Sequence, residues 1–309
     1  MYRRKPTVRT VTKWQDCSSL LSFMREDRTE ADVISYNTTM NSCGKSTFWE
    51  TALRLFASLG ARANLLSFSA VMSGCEKDGE WQHALALLSE LEESGCESDV
   101  ITYSAVISAC EKAREWEAAI HFLFAMEEAH LKPDFIAYSA AMSACEKGQR
   151  WQHALSLFQH FRSMKGLKAD VIMFNAVISA CENGGRWQEA IQLLLLAEQS
   201  LLETSSMSYN VAVSSCEKSS SWEKGLSLLH LMASRLLSPD GFTYAALLCA
   251  CERFCHWRPA LQLLTEFMAS QVQRDVVVLE AALASASGRQ GLRTLELLRE
   301  LRGTLWSLL

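Results

Sequence analysis

Proline and glycine are scarce in this chain, with 4 and 14 occurrences among 309 residues. Both residues interrupt helices, so their scarcity excludes a loop-rich chain and favours an ordered, helix-rich one. The composition, 49% hydrophobic and 21% charged, is typical of a soluble protein. Runs of about 18 consecutive apolar residues are also lacking, which excludes a membrane-spanning helix and predicts no membrane partner.

An excess of positive charge is absent as well, because the net charge is −5. A polyanion-binding protein usually carries a basic patch, so this balance is evidence against nucleic acid unless the cations lie on one face. The first 15 residues differ, since Arg3, Arg4, Lys5, Arg9 and Lys13 precede any acidic residue. That segment resembles the start of an organelle transit peptide. The alternative is that the repeat array has already begun there, because Trp14 falls 35 residues before Trp49.

What the chain has in abundance is a repeated pair, a Cys followed six residues later by a Trp. The pairs are Cys43/Trp49, Cys75/Trp81, Cys110/Trp116, Cys145/Trp151, Cys181/Trp187, Cys216/Trp222 and Cys251/Trp257. Successive cysteines are separated by 32, 35, 35, 36, 35 and 35 residues. A period in that range indicates an array of repeats.

The placement of the cysteines argues against disulfides, although there are 11 of them. Seven occupy one column of the repeat, so neighbours are one repeat apart. A disulfide needs Cα atoms within about 7 Å. We therefore expect buried, reduced thiols, as in an intracellular or organelle-matrix protein.

The segment 100–134 shows the structure of one unit. Apolar or small residues follow the i, i+3, i+4, i+7 spacing of a helix face from Tyr103 to Cys110, and again from Trp116 to Leu123. Two short antiparallel helices are predicted, with the Trp filling the corner between them. Neither helix can bury its apolar stripe alone, so the units must stack into an all-α solenoid.

Counting outward from this unit predicts seven repeats, a preceding half-repeat cap in the N-terminal segment 1–32 and an atypical C-terminal capping repeat at 276–309. A small-residue column, in which close helix approach is expected, comprises Ala52, Ala84, Ala119, Ala154, Ala190, Gly225 and Ala260. The seven repeats span residues 33–64, 65–99, 100–134, 135–170, 171–205, 206–240 and 241–275.

The residues at the repeat ends narrow the type of solenoid. Units open with ISYNT, LSFSA, ITYSA, IAYSA, IMFNA or MSYNV, and several end in Asp. The second half of six of the seven units follows W-x-x-A-L/I, and Gly225 replaces the Ala in the other. This pattern strongly resembles the pentatricopeptide repeat family across 33–275. The resemblance implies a right-handed superhelix of helix pairs that binds single-stranded RNA, one base per repeat.

In that family, the residue after the helical aromatic and the last residue of the unit select the base. By resemblance, the pairs here are Asn37 with Asn64, Ser69 with Asp99, Ser104 with Asp134, Ser139 with Asp170, Asn175 with Ser205, Asn210 with Asp240, and Ala245 with Asp275. The aliphatic residue two before the aromatic wedges between bases. The corresponding residues are Ile34, Leu66, Ile101, Ile136, Ile172, Met207 and Phe242.

The family's rules assign uracil to Asn with Asp, cytosine to Asn with Asn, and guanine to a hydroxyl with Asp. The array would then prefer C-G-G-G-pyrimidine-U, with Ala245 specifying its base poorly. Glu280 departs from the pattern and marks a repeat that selects nothing. The alternative for these Asn and Ser residues is local capping near a helix start. Capping does not explain why the residue alternates between Asn and Ser.

A cation stands two residues after six of the seven column cysteines, and Asn183 is the exception. Such a line could contact RNA phosphates despite the negative net charge. The alternative is a solvated helix end at which a cation complements the dipole. The preceding glutamates are expected to point elsewhere, about 100° round the helix. The predicted phosphate contacts are Lys45, Lys77, Lys112, Lys147, Lys218 and Arg253.

The sequence predicts no catalytic residues, no metal site and no cofactor. The H-x-E and C-x-x-C motifs of the zinc deaminases found in some family relatives do not occur. Cys249, Cys251, Cys255 and His256 form one local group of soft ligands, but they fall at different helical angles. No small-molecule substrate is expected.

The sequence thus predicts a non-enzymatic, sequence-selective protein that binds single-stranded RNA in a mitochondrion or chloroplast. It would act on transcripts by stabilisation, processing or translation, with RNA-processing proteins as further partners. Two alternatives stay open: a helical scaffold for protein partners, and a fragment of a longer protein whose other part carries an activity. The Asn/Ser, terminal Asp and Lys columns discriminate, because a scaffold does not need them.

Overall fold

The computed structural model describes residues 32–269, apart from 46, 47, 97, 165–167, 201, 203, 220 and 254–256. The predicted N-terminal cap, except for Asp32, and the predicted C-terminal cap at 276–309 lie outside these residues, as does Asp275. The described residues form 14 α-helices, one short 3₁₀ turn at Gly60–Arg62 and no strand.

One helix pair falls within each of the seven predicted repeats. The first helices of the repeats are α1 Val33–Lys45, α3 Leu65–Asp78, α5 Val100–Ala113, α7 Phe135–Lys147, α9 Val171–Asn183, α11 Ser206–Lys218 and α13 Gly241–Arg253. The second helices are α2 Trp49–Leu59, α4 Trp81–Glu93, α6 Trp116–Glu128, α8 Trp151–Ser163, α10 Trp187–Gln199, α12 Trp222–Ser234 and α14 Trp257–Ala269.

Contacts divide the chain into two compact units, Met1–Leu167 and Lys168–Leu309. In the first unit, α1, α3, α5 and α7 pack side by side, and each second helix packs on its own first helix. In the second unit, α9, α11 and α13 form the same layer against α10, α12 and α14. Within each unit the predicted solenoid of stacked antiparallel helix pairs is confirmed.

The cysteine column lies in the core. All seven cysteines of the repeat are buried and free of disulfides, as predicted. Burial raises the pKa of the Cys110 and Cys145 thiols to about 12, so both groups stay protonated at neutral pH. A protonated thiol in this position is a small apolar side chain, which accounts for the Cys without any redox role.

The small-residue column allows the close approach that was expected of it. The six alanines of the column are at most 3% exposed. At Gly225, a Cβ atom would stand 2.6 Å from Cδ2 of Leu247 on the neighbouring first helix. A larger side chain there would therefore require the Leu247 side chain to move.

The prediction for the tryptophan column is wrong in part. Each second helix begins at its Trp, but Trp49, Trp81 and Trp116 are half-buried rather than sealed in a corner. The Trp116 ring lies 4.8 Å from the ring of His153, which belongs to the next repeat's second helix. The indole therefore covers the junction between successive repeats, where part of its surface stays in contact with solvent.

None of the described helices has the length and apolar character needed to cross a bilayer. Among the described residues, no group of three or more His, Cys, Asp or Glu side chains is arranged to hold a metal ion.

Candidate nucleic-acid interface

The last residue of a repeat is the N-cap of the next first helix. The Asn64 Oδ1 atom accepts a hydrogen bond from the Ser67 backbone N–H at 3.0 Å, and Asp99 accepts from Thr102 N–H at 2.9 Å. Asp134, Asp170 and Asp240 cap their helices in the same way. Capping therefore accounts for the terminal Asp and Asn residues, because an N-cap oxygen satisfies an otherwise unpaired N–H group.

The residue after the aromatic is the fifth residue of the first helix, too far along to cap it. In the first repeat, Asn37 Nδ2 donates to Asn64 Oδ1 at 3.3 Å. The Ser67 hydroxyl oxygen lies 2.7 Å from Asn37 Oδ1 and donates to it. Asn37 is therefore tied to the following helix by both ends of its amide.

The sixth repeat has the same arrangement around Asn210, which is 8% exposed. Asn210 Nδ2 donates to Asp240 Oδ2 at 2.9 Å, and the Thr243 hydroxyl donates to Asn210 Oδ1 at 2.6 Å. Burial acts to raise the pKa of Asp240, but hydrogen bonds from Thr243 and Asn210 hold it below its usual value. The carboxylate is charged at neutral pH.

A serine at the selecting position makes a different set of contacts. The Ser104 hydroxyl lies 2.7 Å from the Val100 carbonyl oxygen and 3.3 Å from Asp134 Oδ1. Ser69 instead donates to the Leu66 carbonyl at 3.2 Å. The structure thus brings together three of the predicted pairs, Asn37/Asn64, Ser104/Asp134 and Asn210/Asp240.

The remaining predicted pairs are not joined by side-chain hydrogen bonds that the structure shows. Ser139 and Asp170 belong to different units. Ala245 has no polar side chain. In the fifth repeat, Ser205 makes no capping hydrogen bond, and among the described residues Asn175 Oδ1 finds no partner although it is buried.

The predicted wedge residues share one property: every one is exposed. Each is the second residue of its first helix, three positions before the selecting residue and so on the same helix face. Their exposed fractions run from 47% to 68%, which is unusual for large apolar side chains repeated at one position. They are Ile34, Leu66, Ile101, Ile136, Ile172, Met207 and Phe242.

The described cations after the cysteines are exposed, but several are paired with an acid from the preceding repeat. Lys147 Nζ lies 2.9 Å from Glu111 Oε1, and Lys218 Nζ lies 3.0 Å from Glu182 Oε1. Serines of the next repeat also donate to these glutamates, Ser143 to Glu111 at 2.8 Å and Ser214 to Glu182 at 2.7 Å. We call this set of pairs the charge ladder.

Two further pairs extend the charge ladder. Arg253 lies 3.5 Å from Glu217, and the charge of Lys112 acts on Glu76. Burial raises the pKa of Glu76 and Glu217, although the neighbouring cations act in the opposite direction. These glutamates do not pair with the cation beside them in sequence. They pair with the cation one repeat further along, which was not anticipated from the sequence.

The Lys45 side chain lies outside the described residues, and the phosphate contacts stay a prediction. The structure shows that several cations of this column are paired with glutamates, so the column is not a line of uncompensated positive charge. Its lysines keep exposed ammonium groups that can donate beyond the ladder, since each ammonium has three N–H donors.

Two kinds of contact on this face were not predicted from the sequence. One is the charge ladder, for which the recurring Glu-Lys dipeptide at a 35-residue period was a usable signal. The other is the hydroxyl residue, Ser67 or Thr243, that joins the selecting Asn to the next helix. Its signal is a Ser or Thr about 30 residues after each selecting Asn.

Comparisons with known proteins identify the type of repeat. The family model described as PPR repeat matches residues 34–60, 101–131, 172–199 and 207–235, and the model described as PPR repeat family matches 63–112. These matches fall in the first, second, third, fifth and sixth repeats. No curated protein sequence matches the chain.

Solved structures share the fold at low identity. The pentatricopeptide repeat protein PPR10 in complex with an 18-nt psaJ RNA element has a TM-score of 0.71 and 18% identity, covering 94% of this chain and 42% of that one. PPR10 from maize gives 0.56 and 21%, covering 91% and 46%. Nuclear proteinaceous RNase P 2 from A. thaliana gives 0.52 and 13%, covering 59% and 41%.

The chain thus spans less than half the length of each of these similar structures. The matched repeats and the shared solenoid of helix pairs lead to one conclusion. The chain belongs to the pentatricopeptide repeat family.

Proposed function

We propose that this protein binds single-stranded RNA and selects bases through the paired residues of successive repeats. The observation that carries the proposal is the row of exposed aliphatic residues on the same helix face as the selecting residues. The similar structure of PPR10 was solved in complex with an RNA element, which supports the same class of ligand here.

The chemistry of this face fits a nucleobase. An exposed Ile or Leu offers an apolar surface that gains free energy when a flat base covers it, roughly 25 cal/mol per Å² of apolar area removed from water. The polar selecting residue three positions along can then hydrogen-bond the edge of that base. One apolar contact and one polar contact per repeat are what reading a single-stranded nucleic acid base by base requires.

The protein acts, in this proposal, by occupying a transcript rather than by catalysis. Occupancy would shield an RNA end, remodel a structure, or guide processing and translation. The organelle setting rests on the basic start of the sequence, and it stays a prediction together with the transcript role.

The test is an unbiased selection of RNA sequences by the wild-type chain and by Asn210→Ser. The family's rules assign uracil to Asn with Asp and guanine to a hydroxyl with Asp. We therefore expect one position of the enriched motif to change from U towards G while the others are unchanged. The matched control is Lys224→Ala, an exposed substitution on the second helix of the same repeat, which should leave the motif as it is.

Identical motifs from wild type and Asn210→Ser would contradict base selection by this pair. Failure of the wild-type chain to enrich any RNA would overturn the proposal and favour a helical scaffold, whose exposed apolar row then contacts a protein.

A further inference from the structure

We infer that the base-selecting Asn of a repeat is positioned by one more residue besides the N-cap. This residue is the Ser or Thr at the third position of the first helix in the next repeat. This inference rests on the proposed function. In the sixth repeat the residue is Thr243, whose hydroxyl oxygen lies 2.6 Å from Asn210 Oδ1 and 2.9 Å from Asp240 Oδ1. In the first repeat it is Ser67, whose hydroxyl oxygen lies 2.7 Å from Asn37 Oδ1 and 2.9 Å from Asn64 Oδ1. Each hydroxyl has one hydrogen, and the shorter contact in both repeats is the one to the selecting Asn.

The hydroxyl determines what the amide offers to a base. An Asn side chain has one carbonyl oxygen and two N–H donors. In both repeats the hydroxyl engages the oxygen, and the N-cap residue accepts one N–H hydrogen bond. The group left over is an N–H donor, which matches the carbonyl oxygens of uracil, whereas adenine has no carbonyl oxygen and accepts only at its ring nitrogens. An amide turned by 180° would present the opposite hydrogen-bonding character.

The sequence combines a selecting Asn with a hydroxyl residue at this position more consistently than it does a selecting Ser. All three selecting Asn residues, Asn37, Asn175 and Asn210, are followed by a hydroxyl residue at this position. Two of the three selecting serines, Ser104 and Ser139, are followed instead by an alanine and a methionine. A buried amide oxygen needs a donor, whereas the Ser104 hydroxyl donates its one hydrogen to Val100 O at 2.7 Å, with Asp134 Oδ1 farther away at 3.3 Å.

The fifth repeat lacks this contact. Ser208 stands in the place of Thr243, but its hydroxyl is buried and, among the described residues, has no partner. Within the same described residues Asn175 Oδ1 has none either, and the N-cap Ser205 makes no side-chain capping bond. The hydroxyl contact therefore occurs in the two repeats whose N-cap side chain caps the helix, and is absent from the one whose N-cap side chain does not.

The decisive experiment compares Thr243→Ala, Thr243→Ser and Thr102→Ala in RNA selection with the full chain. Thr243→Ala should reduce the preference for uracil at the sixth repeat's position severalfold and leave the other positions unchanged. Thr243→Ser keeps the hydroxyl and should restore the preference. Thr102→Ala is matched, since Thr102 makes the same capping-box bond to its N-cap N–H, 3.1 Å against 3.2 Å, yet does not bond Ser69.

The inference would be overturned if Thr243→Ala left the uracil preference unchanged. It would also be overturned if Thr102→Ala reduced base preference at its own repeat's position as much as Thr243→Ala does at the sixth. A second measurement needs no RNA: urea unfolding of Thr243→Ala, Asn210→Ala and the double variant. The two side chains are coupled if the double variant loses less stability than the sum of the single losses. Additive losses would refute the positioning role. Coupling together with an absence of any RNA preference would instead refute the proposed function and retain the structural link.

Discussion

At the scale of single residues, Ser205 at the end of the fifth repeat lacks the side-chain capping bond that the equivalent residues of neighbouring repeats make. It occupies an N-cap position with extended backbone, but its side chain makes no capping bond. Asp occupies that position in the third, fourth and sixth repeats and caps the helix in each. Comparing Ser205 with these Asp residues therefore shows what a carboxylate contributes at the N-cap position.

We predict that Ser205→Asp stabilises the protein by about 1 kcal/mol, because it adds a capping bond and a negative charge at a helix N-terminus. The new carboxylate would also accept from Asn175 Nδ2, so the repeat should shift from a general pyrimidine preference to uracil. Urea unfolding measures the first effect and RNA selection the second. Ser206→Asp is the control, since it adds the same charge one residue later without a cap. Equal stabilisation by both variants would show that charge alone acts.

Residue roles were predictable where one repeat contains all the relevant contacts. The burial of Cys110 and the position of Trp116 at a helix start follow from spacing along one helix face. The partial exposure of Trp116 does not, because it depends on His153 of the next repeat. Contacts such as Asn210 with Thr243 depend on the register between repeats, which one unit's periodicity does not specify.

At the scale of helices, the packing of α1 on α3 depends on a pair of glycines. A Cβ at Gly44 would stand 3.1 Å from the Gly74 Cα and 3.4 Å from the Ala70 carbonyl oxygen. Both neighbours are backbone atoms, which can move away only if the helices separate. The two helices therefore approach as closely as their backbones allow.

Gly44→Ala should destabilise the protein by up to about 2 kcal/mol. Overpacking costs about 1–3 kcal/mol, whereas the better helix propensity of Ala returns at most about 1 kcal/mol. Chemical unfolding gives the difference, and Ser89→Ala on an exposed face serves as the control, with a change within about 0.5 kcal/mol. A stabilised Gly44→Ala variant would mean that α1 and α3 separate at little cost.

The charge ladder is the other device that joins neighbouring first helices, and it holds cations beside the proposed RNA face. Glu111 neutralises Lys147 and also accepts from Ser143. These pairs are partly exposed, so their contribution to folding is small. Their larger effect is on how much positive charge the first helices present to a phosphate.

Glu111→Gln should therefore strengthen RNA binding and steepen its salt dependence. One freed cation adds up to about 0.7 to the slope of log affinity against log salt for a single strand. A salt titration of RNA affinity measures the slope. Glu128→Gln makes the same change in net charge at an exposed site on α6 and should have little effect. Equal changes in both variants would assign the effect to net charge rather than to Lys147.

At the scale of the whole molecule, the repeats make stability and binding nearly separable. The stack is held by the Cys and small-residue columns, which are buried. The wedge residues lie outside that core and contribute little to folding. The all-α solenoid was predictable from the sequence because the buried columns recur with a fixed period. The charges on its face were not, since the glutamates and lysines pair across repeats.

This separation predicts that Ile101→Ala and Ile172→Ala weaken RNA binding without changing stability. Both side chains are 66% exposed, so unfolding free energies should stay within about 0.5 kcal/mol of wild type. Losing about 1 kcal/mol of apolar contact with a base reduces affinity about fivefold per site. The two residues lie in separate units, so the double variant should show the product, about 25-fold.

Leu236→Ala is the matched control, because Leu236 is 95% exposed but lies after a second helix, outside the wedge row. RNA affinity and thermal unfolding are measured on all four variants. An equal loss for Leu236→Ala would show that exposed apolar area anywhere on the surface contributes to binding. A parallel loss of stability in Ile101→Ala would place that side chain in the packing of the stack, and only independent losses fit a repeat array in which each unit contacts its own base.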